Sequence, residues 1–341
     1  MTNLRSAAAL ALGALLTAAA FAVSGPGFGQ PAQAQDKMVL KASDVHPLGY
    51  PTVEAVVRMG KKLEQATQGR LSIQMFPSMQ LGGEKEMIEQ GQVGALQFVR
   101  VSVGPMGPIV DELNVFNMPF VFRDVAHMNK VIDGPIGQEL LDKLTNAPQS
   151  RLVGLAWMDA GARSVYNSKR PIKTLEDLKG LKIRVIGNPI FVDMINALGG
   201  NGITMGFDQL YNALQTGVVD GAENNPPSYE SGKHYQIAKN YSLTEHLIIP
   251  EMLLFSRVAW DKLGKDDQAL IRKLAKEAQQ EERNLWNERE KKSMDLIKQA
   301  GIQVFVFPAA EKKRFQDAVK PVWDKHGAKY AALVKRIQDV K

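Results

Sequence analysis

The sequence predicts an α/β fold in two lobes spanned by one long helix, and three observations lead to that expectation. Strand-like and helix-like segments alternate as β-α-β-α-β over residues 38–101, an order that implies a parallel sheet with covering helices. A second alternating run starts near Leu152, with no detectable repeat between the two. Residues 266–300 are the longest helical candidate, and at about 1.5 Å per residue they would reach roughly 50 Å, longer than one lobe is wide.

The first run opens with an apolar strand at residues 38–42, ended by Ser43, Asp44 and the His46-Pro47 turn. Residues 53–67 have helical spacing, with Val53, Val56, Val57, Gly60 and Leu63 on one face. Gly69 stops that helix, and residues 71–76 alternate as a strand closed by Pro77. A helix at about 84–92 and a strand at 95–101 follow.

In the second run, residues 152–157 and 164–167 read as strands, 174–179 as a short helix and 181–186 as a strand. Residues 191–198 and 207–216 read as helices separated by Gly199-Gly200, and 218–222 as a short strand. The 266–300 segment is dense in Glu, Lys and Gln, with an intermittent apolar seam at Leu270, Leu274, Ala278, Leu285 and Ile297. It reads as one helix lying across both lobes, the alternative being two helices broken near Glu281.

The N-terminus suggests export. Arg5 precedes an apolar stretch at residues 7–23, and Ala32-Gln33-Ala34 has the small-x-small form of a cleavage site. We read residues 1–34 as a signal peptide, which places the mature protein in the periplasm, soluble after cleavage. The absence of cysteine excludes a disulfide framework, a thiolate metal site, a cysteine nucleophile and a lipobox. Later in the chain, the best apolar run is residues 246–255. Pro250 and Glu251 interrupt it well short of the roughly 18–20 residues needed to span a bilayer. The net charge of +6 is mild and its lysines and arginines are scattered among acids, so no nucleic-acid stripe or membrane patch is expected.

No reactive constellation appears. Histidines 46, 127, 234, 246 and 326 lack metal-type spacing, and no G-x-S-x-G elbow or phosphate-cradling glycine loop is present. The expectation is a binding protein with no cofactor and no metal.

Three segments place polar groups where a buried sheet edge is expected. In residues 181–189, Arg184 lies late in an apolar strand, where it should emerge at the carboxyl edge that binds ligands in open α/β sheets. A guanidinium there can grip a carboxylate through two parallel hydrogen bonds, or it can be a structural arginine paired with a neighbouring acid. In residues 219–227 a short strand runs into Asn224, Asn225 and two prolines, which stiffen the exit. The third segment, residues 160–167, sets Arg163 beside small residues.

With these segments, the chain resembles the DctP-type solute-binding proteins of TRAP (tripartite ATP-independent periplasmic) transporters over essentially all of its mature length. The resemblance also rests on Lys41-Ala42, Gln68-Gly69-Arg70, residues 76–84 (FPSMQLGGE), Asn117-Met118-Pro119-Phe120, residues 178–185 (LKGLKIRV) and residues 214–224 (LQTGVVDGAEN). It implies a two-lobe periplasmic binding protein of the Venus-flytrap kind, with ligand enclosed at the hinge and a helix crossing both lobes. The lobes would be residues 35–160 plus about 250–285, and 161–249 plus about 286–341.

The family's carboxylate salt bridge carries to Arg184, and its further contacts carry to Arg163, Asn224, Glu84 and Phe207. Many members read R-V-P after the strand arginine, whereas this chain reads Arg184-Val185-Ile186-Gly187-Asn188-Pro189, which makes Asn188 a candidate contact. His46, Arg100, Asn225 and Glu251 are further polar positions expected near the cleft. For His46 and Glu251, a capped turn and a surface acid are the competing readings.

A dicarboxylate has no hydroxyls to donate to Glu84 or Glu251, and burying unpaired acids is costly. A polyhydroxylated acid would satisfy them, and the Glu-Asn-Asn-Pro-Pro segment resembles members that take hexuronates. The expected ligand is a uronic acid such as glucuronate or galacturonate. The expected partners are the small and large TRAP membrane subunits, with the protein itself a monomer. The alternatives are a C4-dicarboxylate or other organic acid, or presentation of the ligand to a membrane sensor kinase.

Overall fold

The computed structural model describes residues 37–341, so the signal peptide read at residues 1–34 lies outside the described residues. β1 (Met38–Ser43), β2 (Leu71–Phe76), β3 (Phe98–Ser102) and β4 (Leu152–Met158) build one sheet. β5 (Ala162–Asn167), β6 (Lys182–Val185), β7 (Asn201–Thr204), β8 (Gly221–Asn224) and β9 (Asn240–Ile248) build a second. β10 (Glu251–Ser256) then returns to the first sheet and β11 (Gln303–Val306) to the second.

The first sheet has the order β2-β1-β3-β10-β4. β1 runs parallel to β2 and β3, as the alternating pattern predicts. β10 lies antiparallel to both β3 and β4, which that pattern does not predict. The reason is the route of the chain: β10 arrives straight from β9 across residues 248–251, with no covering helix to reverse its direction. The second sheet has the order β11-β9-β5-β8-β6-β7, with β6 parallel to β7 and β8, and β5 antiparallel to β8 and β9. Two short strand-to-strand passages, residues 158–162 and 248–251, therefore join the lobes at the carboxyl ends of β4 and β9.

Every residue of β3, β4 and β10 is buried, as expected for strands covered on both faces. The helix Pro51–Ala66 covers β1 and β2, opening on a proline that needs no partner for a missing N–H. Its Gly60 lies so close to the sheet that an added Cβ would meet Ile73 Cβ at 2.9 Å.

The 266–300 segment is a single helix, Lys265–Gln299. Its Ile271, Leu274, Ala275 and Ala278 enter the first lobe's core beside Leu40, Val56 and Leu155, and its Ile297 enters the second lobe's core beside Tyr241. Between them Trp286 packs with Tyr50, Val53 and Ala160 at the junction. Trp286→Ala is expected to cost about 3–5 kcal/mol by opening a cavity there. Lys292→Ala, on the exposed side of the same helix, should stay within about 0.5 kcal/mol. Urea denaturation midpoints compare the two.

The chain beyond residue 286, read from sequence as second-lobe, ties to both lobes at its end. Trp323 Nε1 donates to Pro119 O (3.0 Å) and Tyr330 Oη to Asp111 O (3.0 Å) in the first lobe, and first-lobe Arg123 donates to Gln338 O (3.0 Å) of the terminal helix. Lys325 and His326 reach Asp193 in the second. An amphipathic terminal helix shows in sequence that it has an apolar face, but not which surface receives it. Among the described residues, no helix is long and apolar enough to cross a membrane.

Candidate functional site

The chain leaves β1 through Asp44, a completely buried carboxylate whose partners come from three directions. His46 N (2.8 Å), Thr52 Oγ1 (2.7 Å) and Arg100 Nε (2.8 Å) all donate to it. Arg100 projects from β3, and its guanidinium also bonds Glu251, at the start of β10, and lies 3.5 Å from Glu84 Oε1. Glu84 opens the helix Glu84–Val93 and accepts from Ser102 N at 2.8 Å. The first lobe thus presents a buried arginine already neutralised by three carboxylates. Burial opposes the charge on Arg100, but Asp44 and Glu251 outweigh it and hold the pKa well above the ordinary arginine value.

The acids of this group differ among themselves. Burial pushes the Glu251 carboxyl up to about 7, with Arg100 pulling it down and Glu84 pushing it further up. A carboxyl whose folded pKa exceeds its unfolded value costs stability once it ionises. The wild type should therefore lose stability as pH rises from about 4.5 to about 7. Glu251→Gln should flatten that decline in denaturant midpoints measured against pH.

The second lobe is built differently. Arg163 on β5 gives Nε to Glu223 Oε2 (2.6 Å), Nη2 to Glu223 Oε1 (2.8 Å) and Nη1 to Asn224 Oδ1 (2.8 Å). The Glu223 side chain is fully buried on β8, with His246 Nε2 3.6 Å away. Burial pushes its pKa up, but Arg163 and then His246 outweigh that and bring it down to about 2.

Arg184, on neighbouring β6, donates Nε–H to Met205 O at 2.8 Å. Among the described residues no carboxylate lies within ion-pair distance of it, although it is only 3% exposed. Burial, the leading cause, lowers its pKa from the ordinary arginine value. Of the two sequence readings for Arg184, the arginine paired with a neighbouring acid is not what the structure contains.

The two lobes face each other across a polar space of about 30 Å³. Eight of the ten residues singled out from the sequence wall it: His46, Glu84, Arg100, Arg163, Arg184, Phe207, Asn224 and Glu251. His46 stacks on Tyr50 (centroids 3.7 Å apart) and meets Phe207 of the opposite lobe edge-on at 5.5 Å. Burial, followed by Arg100, drives its imidazole pKa down to about 3, so it stands neutral. Neither His46 nor Glu251 is a surface group.

Asn188 and Asn225 do not wall the space. Asn188 caps the helix Pro189–Ala197 through Ile190 N (2.9 Å), and its amide donates across the lobes to Gly104 O and Asn114 Oδ1, both at 2.9 Å. Asn225 caps the helix Pro226–Ser231 through Ser228 N (2.8 Å). The wall residues missed from sequence are Val45, Ser102, Ile186 and Ser228, the last bonded to Tyr50 Oη at 2.9 Å across the cleft. Asp44, which anchors Arg100, was also missed. Its position in a Ser-Asp turn after a strand was the available signal, but its partner lies 56 residues away.

A cleft between two lobes, an uncompensated arginine on one side and a neutralised polar pole on the other suit a small anionic solute. A family model described as bacterial extracellular solute-binding protein, family 7 (DctP), matches residues 42–330. The chain belongs to the DctP family. It is similar to a TRAP periplasmic solute-binding protein of Pseudomonas putida F1 solved with D-glucuronate, at 54% identity and a TM-score of 0.87 over 89% of this chain and 98% of that one. A Bradyrhizobium member solved with α/β-D-galacturonate is 49% identical, with a TM-score of 0.85 over 89% and 100%. A Citrobacter koseri member with bound D-glucuronate gives 48% and 0.87 over 89% and 100%, and its apo, open structure gives a TM-score of 0.77 over 88% and 98%. This DctP protein thus matches the glucuronate-bound structure of that relative better than the open one.

Proposed function

We propose that this DctP protein captures a hexuronate of the D-glucuronate or D-galacturonate type and delivers it to the membrane subunits of a TRAP transporter. The observation that carries the reading is Arg184: a buried guanidinium with no carboxylate partner among the described residues, walling a polar space between the lobes. A ligand carboxylate supplies the missing partner through the two terminal nitrogens of the fork. Arg163, committed to Glu223, holds the Asn224 carbonyl and so turns the Asn224 amide toward the ligand. Arg100 lacks free charge, because Asp44, Glu84 and Glu251 surround it. That pole offers carboxylate oxygens to hydroxyl donors and repels a second carboxylate, which favours a sugar acid over a C4-dicarboxylate. The hexuronates held by the relatives above support the same choice.

The reading is of a receptor rather than an enzyme, exported by the N-terminal leader and acting in the periplasm as a monomer. The space between the lobes has room for only one or two water molecules. A six-carbon acid therefore enters when the lobes part, by rotation about residues 158–162 and 248–251. Closure of the lobes on the acid then buries its carboxylate against Arg184. The small and large TRAP membrane subunits then receive the closed form.

A thermal-shift panel of hexuronates and dicarboxylates tests the reading, because a ligand that binds only the native state raises its melting temperature. Shifts with hexuronates and none with succinate are expected. The reverse pattern would remove the hexuronate assignment.

A further inference from the structure

The space between the lobes does not end at Arg184. A second cavity of about 760 Å³ lies beside it, between Glu84–Val93 and its preceding turn in the first lobe and residues 204–209 in the second. The two share Glu84, Arg184, Ile186 and Phe207 as walls. Arg184 and Glu84 therefore both stand at the junction, and a carboxylate seated on Arg184 lies at the wall between the two spaces.

We propose that the outer cavity is a second sugar subsite, and that the protein also binds uronic acids glycosylated on O4 by a neutral sugar. This inference rests on the hexuronate reading of the inner space. In a hexuronate the carboxylate carbon is attached to C5, and the hydroxyl on the neighbouring carbon is O4. With the carboxylate on Arg184, O4 is the hydroxyl placed closest to the shared wall, so a substituent there projects outward past Glu84, the one acid of the Arg100 group that also lines the outer cavity.

The lining of the outer cavity selects the chemistry of that substituent. Beyond the shared walls it offers Glu86, Glu89 and Asp208 against the single cation Lys85. Three carboxylates accept from sugar hydroxyls but repel another carboxylate, so a neutral hexose or pentose fits and a second uronate does not. Gln92 and Gln209 add amides that both donate and accept.

Gly187 supplies the discriminating variant. It lines the outer cavity but not the inner space, and an added Cβ there meets nothing within 4 Å. Gly187→Phe should place a ring in the part of the outer cavity beside Ile186 and Arg184 and leave the inner walls in place. Calorimetric titrations of the mature protein would compare a hexuronate, the same hexuronate carrying a neutral hexose on O4, and the corresponding 4-linked di-uronide. The neutral disaccharide is expected to bind within about tenfold of the free hexuronate, and the di-uronide at least about tenfold more weakly through repulsion. Gly187→Phe should weaken the disaccharide by about tenfold or more, by overpacking, and leave the hexuronate unchanged.

If the hexuronate binds and the neutral disaccharide does not, the subsite is overturned and the hexuronate reading stands. Disaccharide binding that is indifferent to Gly187→Phe also overturns it. If neither sugar binds, the hexuronate reading fails and the subsite fails with it.

Discussion

Replacing Arg184 with methionine should weaken hexuronate binding by about 100-fold or more, on the usual cost of removing one partner of a buried, hydrogen-bonded charge pair. The same change should leave the ligand-free protein as stable as wild type or more so. Arg184 is buried, gives its Nε to Met205 O, and has no carboxylate partner among the described residues to offset its desolvation. A methionine of similar length removes that unpaired charge and keeps most of the packing. Arg184→Lys keeps the charge but loses the planar fork, so it should recover only part of the affinity. Calorimetry with glucuronate and with glucose separates charge recognition from hydroxyl recognition. The preference for the acid over the neutral sugar should collapse in Arg184→Met, while titration with glucose should give the same result in the variant and in wild type.

Glu223→Gln should cost about 3–5 kcal/mol in denaturant unfolding, because it leaves the Arg163 charge buried without a counter-ion. Glu223 accepts two hydrogen bonds from that guanidinium and has His246 beside it. Its folded pKa of about 2 lies below the ordinary value of 4.5. The stability it contributes is therefore fully present above about 4.5 and is lost as pH falls toward about 2. Wild type should weaken across that acid range, and Glu223→Gln should lose the part of the slope that belongs to this group. Since Arg163 also holds Asn224, the variant should bind hexuronate more weakly even where it remains folded.

Much of the fold can be read from sequence because its strands and helices alternate with clear periods and are punctuated by Gly and Pro. The single long helix was legible too, since its apolar seam continues past Glu281 to Ile297. β10 was harder. Its apolar run merges with the end of β9, and only Pro250 and Glu251 mark where the chain changes lobes. Its antiparallel placement follows from a direct interlobe passage that no local pattern records.

At the site, Arg184 could be placed at a sheet edge from its strand, but not shown to lack a partner. That depends on where four distant acids spend their charge: Glu223 on Arg163, and Asp44, Glu84 and Glu251 on Arg100. Asn188 and Asn225 illustrate the opposite case. Each precedes a proline that begins a helix, a pattern that signals a cap, and capping is what both do. Asn188 draws attention through the departure from R-V-P and Asn225 through its place beside Asn224, whereas the Asn-Pro motif itself points to the cap.

A crystal structure of the mature protein with D-glucuronate would show which arginine holds the carboxylate. The expected result is one sugar between the lobes, its carboxylate oxygens about 3 Å from the two terminal nitrogens of Arg184, and its hydroxyls turned toward Glu84 and Glu251. A carboxylate seated on Arg100 or Arg163 instead, with Arg184 left unpaired, would contradict it.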